Sequence, residues 1–279
     1  MIEIANATLG YGRTPVSTDL NFTVPENSFT MIVGPNGCGK STVLRALSRL
    51  LSPHTGAVIL EGEDIRRIKT KQLARRLGLL TQHPASPDGI RVAELVARGR
   101  HPHLRVLQQW TAADEKAVAD AMRITGVTEL AAHPVDQLSG GQRQRVWIAL
   151  VLAQQTPLLL LDEPTTFLDL AHQLSILELC RKLVAEQGRT IVAVVHDLSQ
   201  ACRFATHMIA MRDGAVVASG APAEIVTPSL VRGVFGVEAM IIDDPVTGTP
   251  LVVPLVDVPP VNASLVTRPL GTREEEAPA

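Results

Sequence analysis

The segment Gly34-Pro35-Asn36-Gly37-Cys38-Gly39-Lys40-Ser41 follows a β-rich run, Phe29–Val33, and leads into an apolar helical pattern over 41–51 (Val43, Leu44, Leu47, Leu50, Leu51). This is the spacing G-x-x-x-x-G-K-[ST], with a strand before it and a helix after it, the two flanks that give the motif its meaning. It constrains the fold strongly. A strand must deliver the chain to a tight glycine turn and a helix must leave it, so that successive backbone N–H groups and the helix amino end converge on one point. Phosphate suits that geometry. Lys40 supplies a point charge to β and γ phosphates, and the Ser41 hydroxyl is placed to reach magnesium.

Such a unit needs parallel neighbours for its strand. The run 157–161 is fully apolar and ends in Asp162, and 190–195 ends in His196. Both read as buried parallel strands with polar residues at their carboxyl ends, where an open α/β sheet places its site. The expected fold is α/β, a P-loop NTPase (RecA-like) core. The first ~30 residues alternate and turn, which predicts a small antiparallel β subdomain at the amino end. Residues 92–97, 112–124 and 142–153 read as helices with no comparable strand among them, so an α-helical subdomain over about 84–153 is expected to be inserted in the core. The core domain is taken as 1–240. Residues 241–279 form a Pro-rich extension, expected to be a loosely attached strand or two followed by a disordered end.

Leu158-Leu159-Leu160-Leu161-Asp162-Glu163-Pro164 supplies the second half of the site. An acidic pair leaving a buried strand is costly unless it meets a cation or a water network. Asp162 is therefore placed to hold magnesium and Glu163 to orient and polarise an attacking water. Composition narrows the partners. The chain carries 26 Lys plus Arg against 28 Asp plus Glu, with Trp 2, Tyr 1 and Phe 5, which argues against a nucleic-acid binder. Cys38, Cys180 and Cys202 are too scattered for a disulfide framework or a zinc site and fit a reducing cytosol. The amino end shows no secretory signal, and the apolar stretch 147–161, interrupted by Gln154, Gln155 and Pro157, is shorter than the ~20 residues of a membrane span. Any membrane role is expected to come through a partner.

Leu138-Ser139-Gly140-Gly141-Gln142 opens a further helix with a hydroxyl, bare N–H groups and a positive dipole end. Together with the P-loop, the Asp162-Glu163 pair and His196, in this order, it closely resembles the ATP-binding cassette (ABC) ATPases over about residues 2–240. The resemblance implies ATP and Mg2+ as ligands, with nucleotide contacts from Tyr11 and from Gly34 through Lys40 and Ser41 to Thr42. Tyr11, 23 positions before Gly34, matches the aromatic that stacks on adenine. Gln82, closing Leu79-Leu80-Thr81-Gln82, matches the glutamine that contacts magnesium and senses the transmembrane partner. His196 matches the switch histidine at the γ-phosphate, and Asp169, in Phe167-Leu168-Asp169, the residue that couples two sites. Ser139, Gly140, Gly141 and Gln142 match the signature that closes over ATP bound to a second subunit. A chain with one cassette is thus expected to work as a homodimer.

Three segments narrow the cargo: Arg98-Gly99-Arg100-His101-Pro102-His103 with Asp114-Glu115, His196-Asp197-Leu198-Ser199-Gln200-Ala201 through Ala205-Thr206-His207, and Ile241-Ile242-Asp243-Asp244-Pro245 onward. They resemble the ATPase subunits of bacterial iron–siderophore importers. That implies a peripheral protein on the cytoplasmic face of the cell membrane, bound to an integral permease and served indirectly by an extracytoplasmic siderophore-binding protein. Haem, cobalamin or another metal chelate is the alternative cargo. A soluble ATPase of the iron–sulfur assembly type is the alternative class. His101, His103 and nearby His83 lack a completing carboxylate or cysteine and are read as a loop beside the permease surface rather than a metal site. Arg143 and Arg145 are read as a solvated helix face or partner contacts.

Overall fold

The computed structural model describes residues 1–82, 84–104, 110–166 and 168–255. The chain opens with β1 (Ile2–Tyr11) and β2 (Thr14–Val24), paired antiparallel. Ile2 and Ile4 point inward, as do Ala7 and Leu9; the change of parity comes from a register shift after Ile4, where Asn6 takes φ 46°. Next come β3 (Phe29–Val33), α1 (Lys40–Leu47), β4 (Thr55–Leu60), β5 (Glu63–Asp64), α2 (Thr70–Leu73) and β6 (Leu77–Leu80). A helical segment follows, with α3 (Val92–Ala97), α4 (Ala112–Ile124) and α5 (Gly140–Ala153). The core resumes with β7 (Leu158–Asp162), α6 (Leu170–Gln187), β8 (Thr190–Val194), α7 (Leu198–Phe204), β9 (His207–Arg212) and β10 (Ala215–Gly220). It closes with α8 (Pro222–Ile225), α9 (Pro228–Phe235) and a hairpin of β11 (Ala239–Asp243) and β12 (Pro250–Pro254).

Two sheets form the core. The first is antiparallel, in the order β2-β1-β4-β5; the second runs β10-β9-β3-β8-β7-β6, parallel except for β10 at its edge. The α/β expectation and the amino-terminal antiparallel strands are thus observed. Parallel strands covered on both faces must be apolar throughout, and alternate side chains of β3, β7 and β8 enter different cores. Phe29, Met31, Val33, Leu159, Leu161, Ile191 and Ala193 pack with α5 and α6. Ile32, Leu158, Leu160, Val192 and Val194 pack with α1 and the antiparallel sheet. Because β8 lies between β3 and β7, the chain leaves all three at one edge, and the P-loop, Asp162 and His196 come together there.

The sequence pattern overextends α1. It ends at Leu47, not Leu51, and Leu50 is 63% exposed. The stop is a Schellman turn: Arg49 adopts φ 61°, its N–H bonds to the Ala46 carbonyl, and the Leu50 N–H bonds to that of Arg45. No glycine marks this left-handed position. The Arg49 guanidinium instead secures it on the carbonyls of Ile65 and Ile68 and the hydroxyl of Thr70.

The segment 98–103, read as a loop beside the permease surface, exposes Arg98 and His101 but turns its middle inward. Gly99 sits so close to α5 that an added Cβ would lie 2.2 Å from the Leu150 carbonyl oxygen, and Arg100 is buried. Arg100 pairs with Asp114 at 2.9 Å and also donates to the Ala153 carbonyl and the Gln155 side chain, so one guanidinium ties the start of α4 to the end of α5. His103 meets the Gln154 carbonyl at 2.8 Å, and His83 lies outside the described residues. Arg145 is half-buried rather than solvated, its Nε without a hydrogen-bond partner among the described residues. The Thr111 hydroxyl, then the Arg100 guanidinium, hold the Asp114 carboxyl below the usual range against the opposing effect of burial.

Removing one partner of a buried pair strands the other charge. Asp114→Ala is therefore expected to cost about 3 kcal/mol, lowering Tm by roughly 6–12 °C. Because the folded-state carboxyl is depressed, its contribution is present above the unfolded pKa and is lost as pH falls through the folded one. The gap between wild type and variant should narrow in acid; equal melting temperatures at pH 7 would contradict the role given to the pair.

At the carboxyl end, β11 begins at Ala239, so a boundary at residue 240 falls inside a strand. Ile241 and Val252 turn inward against the larger core. The end of the extension, 256–279, lies outside the described residues.

Candidate functional site

The loop from β3 to α1 is shaped by two glycines. Gly39 caps α1 with φ 102°, which aims the helix amino end into the turn. At Gly34 a Cβ would sit 2.2 Å from the Met211 carbonyl oxygen of β9 and 2.8 Å from the Cys38 sulfur. Cys38 is buried and fills this space, and desolvation raises its thiol pKa, consistent with a packing role. Lys40 is also buried, its ammonium donating to the carbonyls of Gly34 (2.8 Å) and Pro35 (2.9 Å). Two of three hydrogens hold the amine over the loop; the third remains for a phosphate oxygen.

A hollow of about 270 Å³ opens over this loop, lined by Val16, Asn36, Gly37, Gly39, Lys40, Ser41, Thr42, Glu163 and His196. A second, of about 440 Å³, is lined by Tyr11, Arg45, Leu50, Leu79, Gln82 and Asp162 among others. Ser41 and Asp162 stand between the two, the Ser41 hydroxyl donating to Asp162 Oδ1 at 3.3 Å. Burial raises the Asp162 pKa; the Ser41 hydrogen bond opposes this and the neighbouring Glu163 charge adds to it. A carboxyl in that state gains from a cation beside it.

Glu163 is the centre of the arrangement. The backbone turns out of β7 at this residue with φ 51°, a left-handed conformation for a side chain with a Cβ, held by a hydrogen bond from its N–H to the Val194 carbonyl (3.2 Å). Its Oε2 accepts from Gln82 Nε2 (2.7 Å) and Thr166 Oγ1 (3.0 Å), and its Oε1 lies 2.7 Å from His196 Nε2. Gln82, Glu163 and His196, three residues 114 positions apart at their extremes by sequence number, thus converge on one carboxylate. Gln82 spends its amide nitrogen there, which leaves its carbonyl oxygen for another partner.

Tyr11 lines the second hollow rather than the first. It is 46% exposed, and its hydroxyl accepts from Arg45 at 3.0 Å. Ser139 caps α5 by accepting from the Gln142 N–H (3.3 Å), while the Gln142 side chain accepts from the Ser139 N–H (3.0 Å). These four signature residues line neither hollow beside their own P-loop. Asp169 caps α6 from an exposed position, and Phe167 lies outside the described residues. Thr166 and Arg45 are site neighbours that the sequence reading missed. Only their spacing from Glu163 and from Ser41 (three and four residues) could have drawn attention to them.

Among the described residues no group of three or more His, Cys, Asp or Glu side chains could hold a metal, and no helix is long and apolar enough to cross a membrane. The ABC transporter family matches residues 17–166. The ferric enterobactin transport ATP-binding protein of Escherichia coli (strain K12) is 56% identical over 92% of this chain and 95% of its own length. The iron(3+)-hydroxamate import ATP-binding protein of Bacillus subtilis (strain 168) is 48% identical over 87% and 90%. The dimeric structure of a bacterial ABC transporter cassette superposes with a TM-score of 0.70 at 30% identity, covering 79% of this chain and 98% of that one. A P-loop on β3, an acidic pair at the end of β7, a serine-glycine cap remote from both, and this degree of likeness along nearly the whole chain lead to one conclusion: the chain belongs to the ABC transporter family, as one of its ATP-hydrolysing subunits.

Proposed function

We propose that the chain is the ATPase of a bacterial importer of iron–siderophore complexes, working as a homodimer on the cytoplasmic face of the cell membrane. The observation that carries the catalytic part is the Glu163 carboxylate held by Gln82, Thr166 and His196 beside the P-loop. The likeness to subunits named for ferric enterobactin and iron(3+)-hydroxamate import supports the cargo class. These are different chelates, so the ferric complex rather than one chelator is what the reading commits to. The alternative cargo is haem, cobalamin or another metal chelate, and the alternative class is a soluble ATPase of the iron–sulfur assembly type.

ATP phosphates enter over Gly37, Gly39, Lys40, Ser41 and Thr42, where backbone N–H groups and the Lys40 ammonium meet them, with Asn36 and Val16 on the rim. Gly34, Pro35 and Cys38 shape the turn from behind. The adenine is taken to stack on Tyr11. The Ser41 hydroxyl, Asp162 carboxylate and Gln82 carbonyl are hard oxygen donors, and the buried Asp162 favours a cation, so the set fits Mg2+ with phosphates completing its shell. When bound, that ion neutralises charge on the β and γ phosphates.

Glu163 accepts a proton from the attacking water and orients it, and His196 orders the γ-phosphate side. Ser139, Gly140, Gly141 and Gln142 present the α5 amino end to ATP on the partner subunit, and Asp169 lies between the two sites. An integral permease bears on the motor through Gln82, at the border of the hollow in which Tyr11 meets the adenine. An extracytoplasmic siderophore-binding protein acts through that permease, and nucleic acid has no part.

Uptake by iron-starved host cells of radio-iron loaded on a panel of siderophores tests the reading. Cells carrying Glu163→Gln in place of the normal chain should lose uptake of one chelate, and the normal gene should restore it. Unchanged uptake across the panel would overturn the assignment of cargo.

A further inference from the structure

The start of α6 carries two polar contacts that the site as described does not use. The Nε2 of Gln173 donates to the Leu168 carbonyl oxygen at 2.9 Å, and its Oε1 accepts from Gln200 Nε2 at 2.7 Å. Gln200 lies in the first turn of α7, and its N–H donates at 3.0 Å to Asp197, the cap that directly follows His196. The preceding residue, His172, faces another way. Its N–H and its Nδ1 both meet Asp169 Oδ1, at 2.9 and 2.7 Å, and its ring lies on α5: a Cβ on Gly141 would sit 2.6 Å from His172 Cδ2, whereas at Gly140 the same position is open space. Two consecutive side chains therefore touch the His196 loop, the 168–169 loop and the amino end of α5. Neither lines the hollow over the P-loop.

The geometry points to Gln173, with Gln200, and His172 as positioning residues that relay between the chain's own ATP site and the one it completes on its partner. The inference rests on the two-cassette reading above: there Glu163 and His196 serve one nucleotide while Ser139 and Gly140 of the same chain serve the other. A hydrogen bond between two side-chain amides is either made or broken, and can thus mark two discrete arrangements of the His196 loop relative to Leu168. The close contact of the His172 ring with Gly141, where an added Cβ would push the ring aside, couples a displacement of Asp169 to the signature. Mere stitching of α6 to α7 would stabilise the fold and leave the communication between sites unchanged.

Steady-state ATP hydrolysis by the full-length dimer separates the two. Gln173→Leu and Gln200→Leu should each lower kcat about tenfold, a typical coupling free energy, and bring the Hill coefficient for ATP toward one, with KM within about a factor of two. The double variant should be no worse than Gln173→Leu, which already breaks the bond that Gln200→Leu removes. Gln173→Glu keeps the acceptor for Gln200 but faces the Leu168 carbonyl with another oxygen, and should lose as much. His172→Ala should lower the Hill coefficient without moving KM. If a leucine variant does not fold, Gln200→Asn, which withdraws the amide by one methylene, makes the same test.

Losses that multiply in the double variant, or variants with normal kcat and normal cooperativity, would overturn the relay. A wild-type chain without cooperative hydrolysis would overturn the two-cassette reading instead.

Discussion

Glu163→Gln is expected to reduce ATP turnover by about 10²- to 10³-fold, within the range of a general base, while leaving ATP affinity within a few-fold of wild type. The side chain keeps its volume, and Lys40, Ser41 and the loop N–H groups are untouched. What changes is the charge at the point where Gln82, Thr166 and His196 meet. An amide oxygen still accepts a hydrogen bond but does not take a proton from water. With hydrolysis blocked and binding intact, the nucleotide-bound dimer should persist, eluting from gel filtration at twice the monomer mass in ATP and Mg2+. A variant that stays monomeric under those conditions would count against ATP held between two cassettes. One that hydrolyses at the wild-type rate would remove Glu163 from the chemistry.

Lys40→Ala should act earlier, on binding itself. The ammonium is buried and already fixed by the Gly34 and Pro35 carbonyls, so its third hydrogen is presented to phosphate with little further ordering. Charge-assisted hydrogen bonds of this kind contribute about 1.5–3 kcal/mol each, and truncation also leaves two inward-facing carbonyls without their donor. A loss of roughly two orders of magnitude in ATP affinity follows. Calorimetric titration with a non-hydrolysable ATP analogue measures it directly, and the melting temperature without nucleotide shows whether the loop has collapsed. Wild-type affinity in the variant would mean that the lysine does not face the ligand.

The elements that carry these residues were legible because their physical demands are local and strong. Strands buried on both faces must be apolar throughout, so β3, β7 and β8 stand out as runs. The segments 92–97 and 112–124 read as helices in the sequence, and α3 and α4 take those bounds. The end of α1 was not legible, because a left-handed arginine at position 49 depends on carbonyls of Ile65 and Ile68 that only the folded chain brings within reach. The burial of Arg100 was hidden for a similar reason: Asp114 is 14 positions away, and nothing in a charged residue's surroundings in sequence tells whether it meets a buried partner.

At the site, the P-loop and the Asp162-Glu163 pair could be read from spacing alone. The roles of Gln82, Asp169 and the signature came from resemblance. Thr166, His172, Gln173 and Gln200 emerged only in the structure, since a threonine or glutamine has no sequence pattern that separates it from a solvated neighbour.

The wall between the two hollows has a mechanical consequence. Gln82 borders the larger hollow, yet its amide nitrogen is bonded to the carboxylate in the smaller one, so a single side chain is read on one side and felt on the other. A push on Gln82 of about an ångström is enough to throttle the reaction, since a hydrogen bond stretched that far is lost. The nucleotide need not be released for the motor to idle. A machine built in this way can stay loaded with fuel and wait on its gearbox.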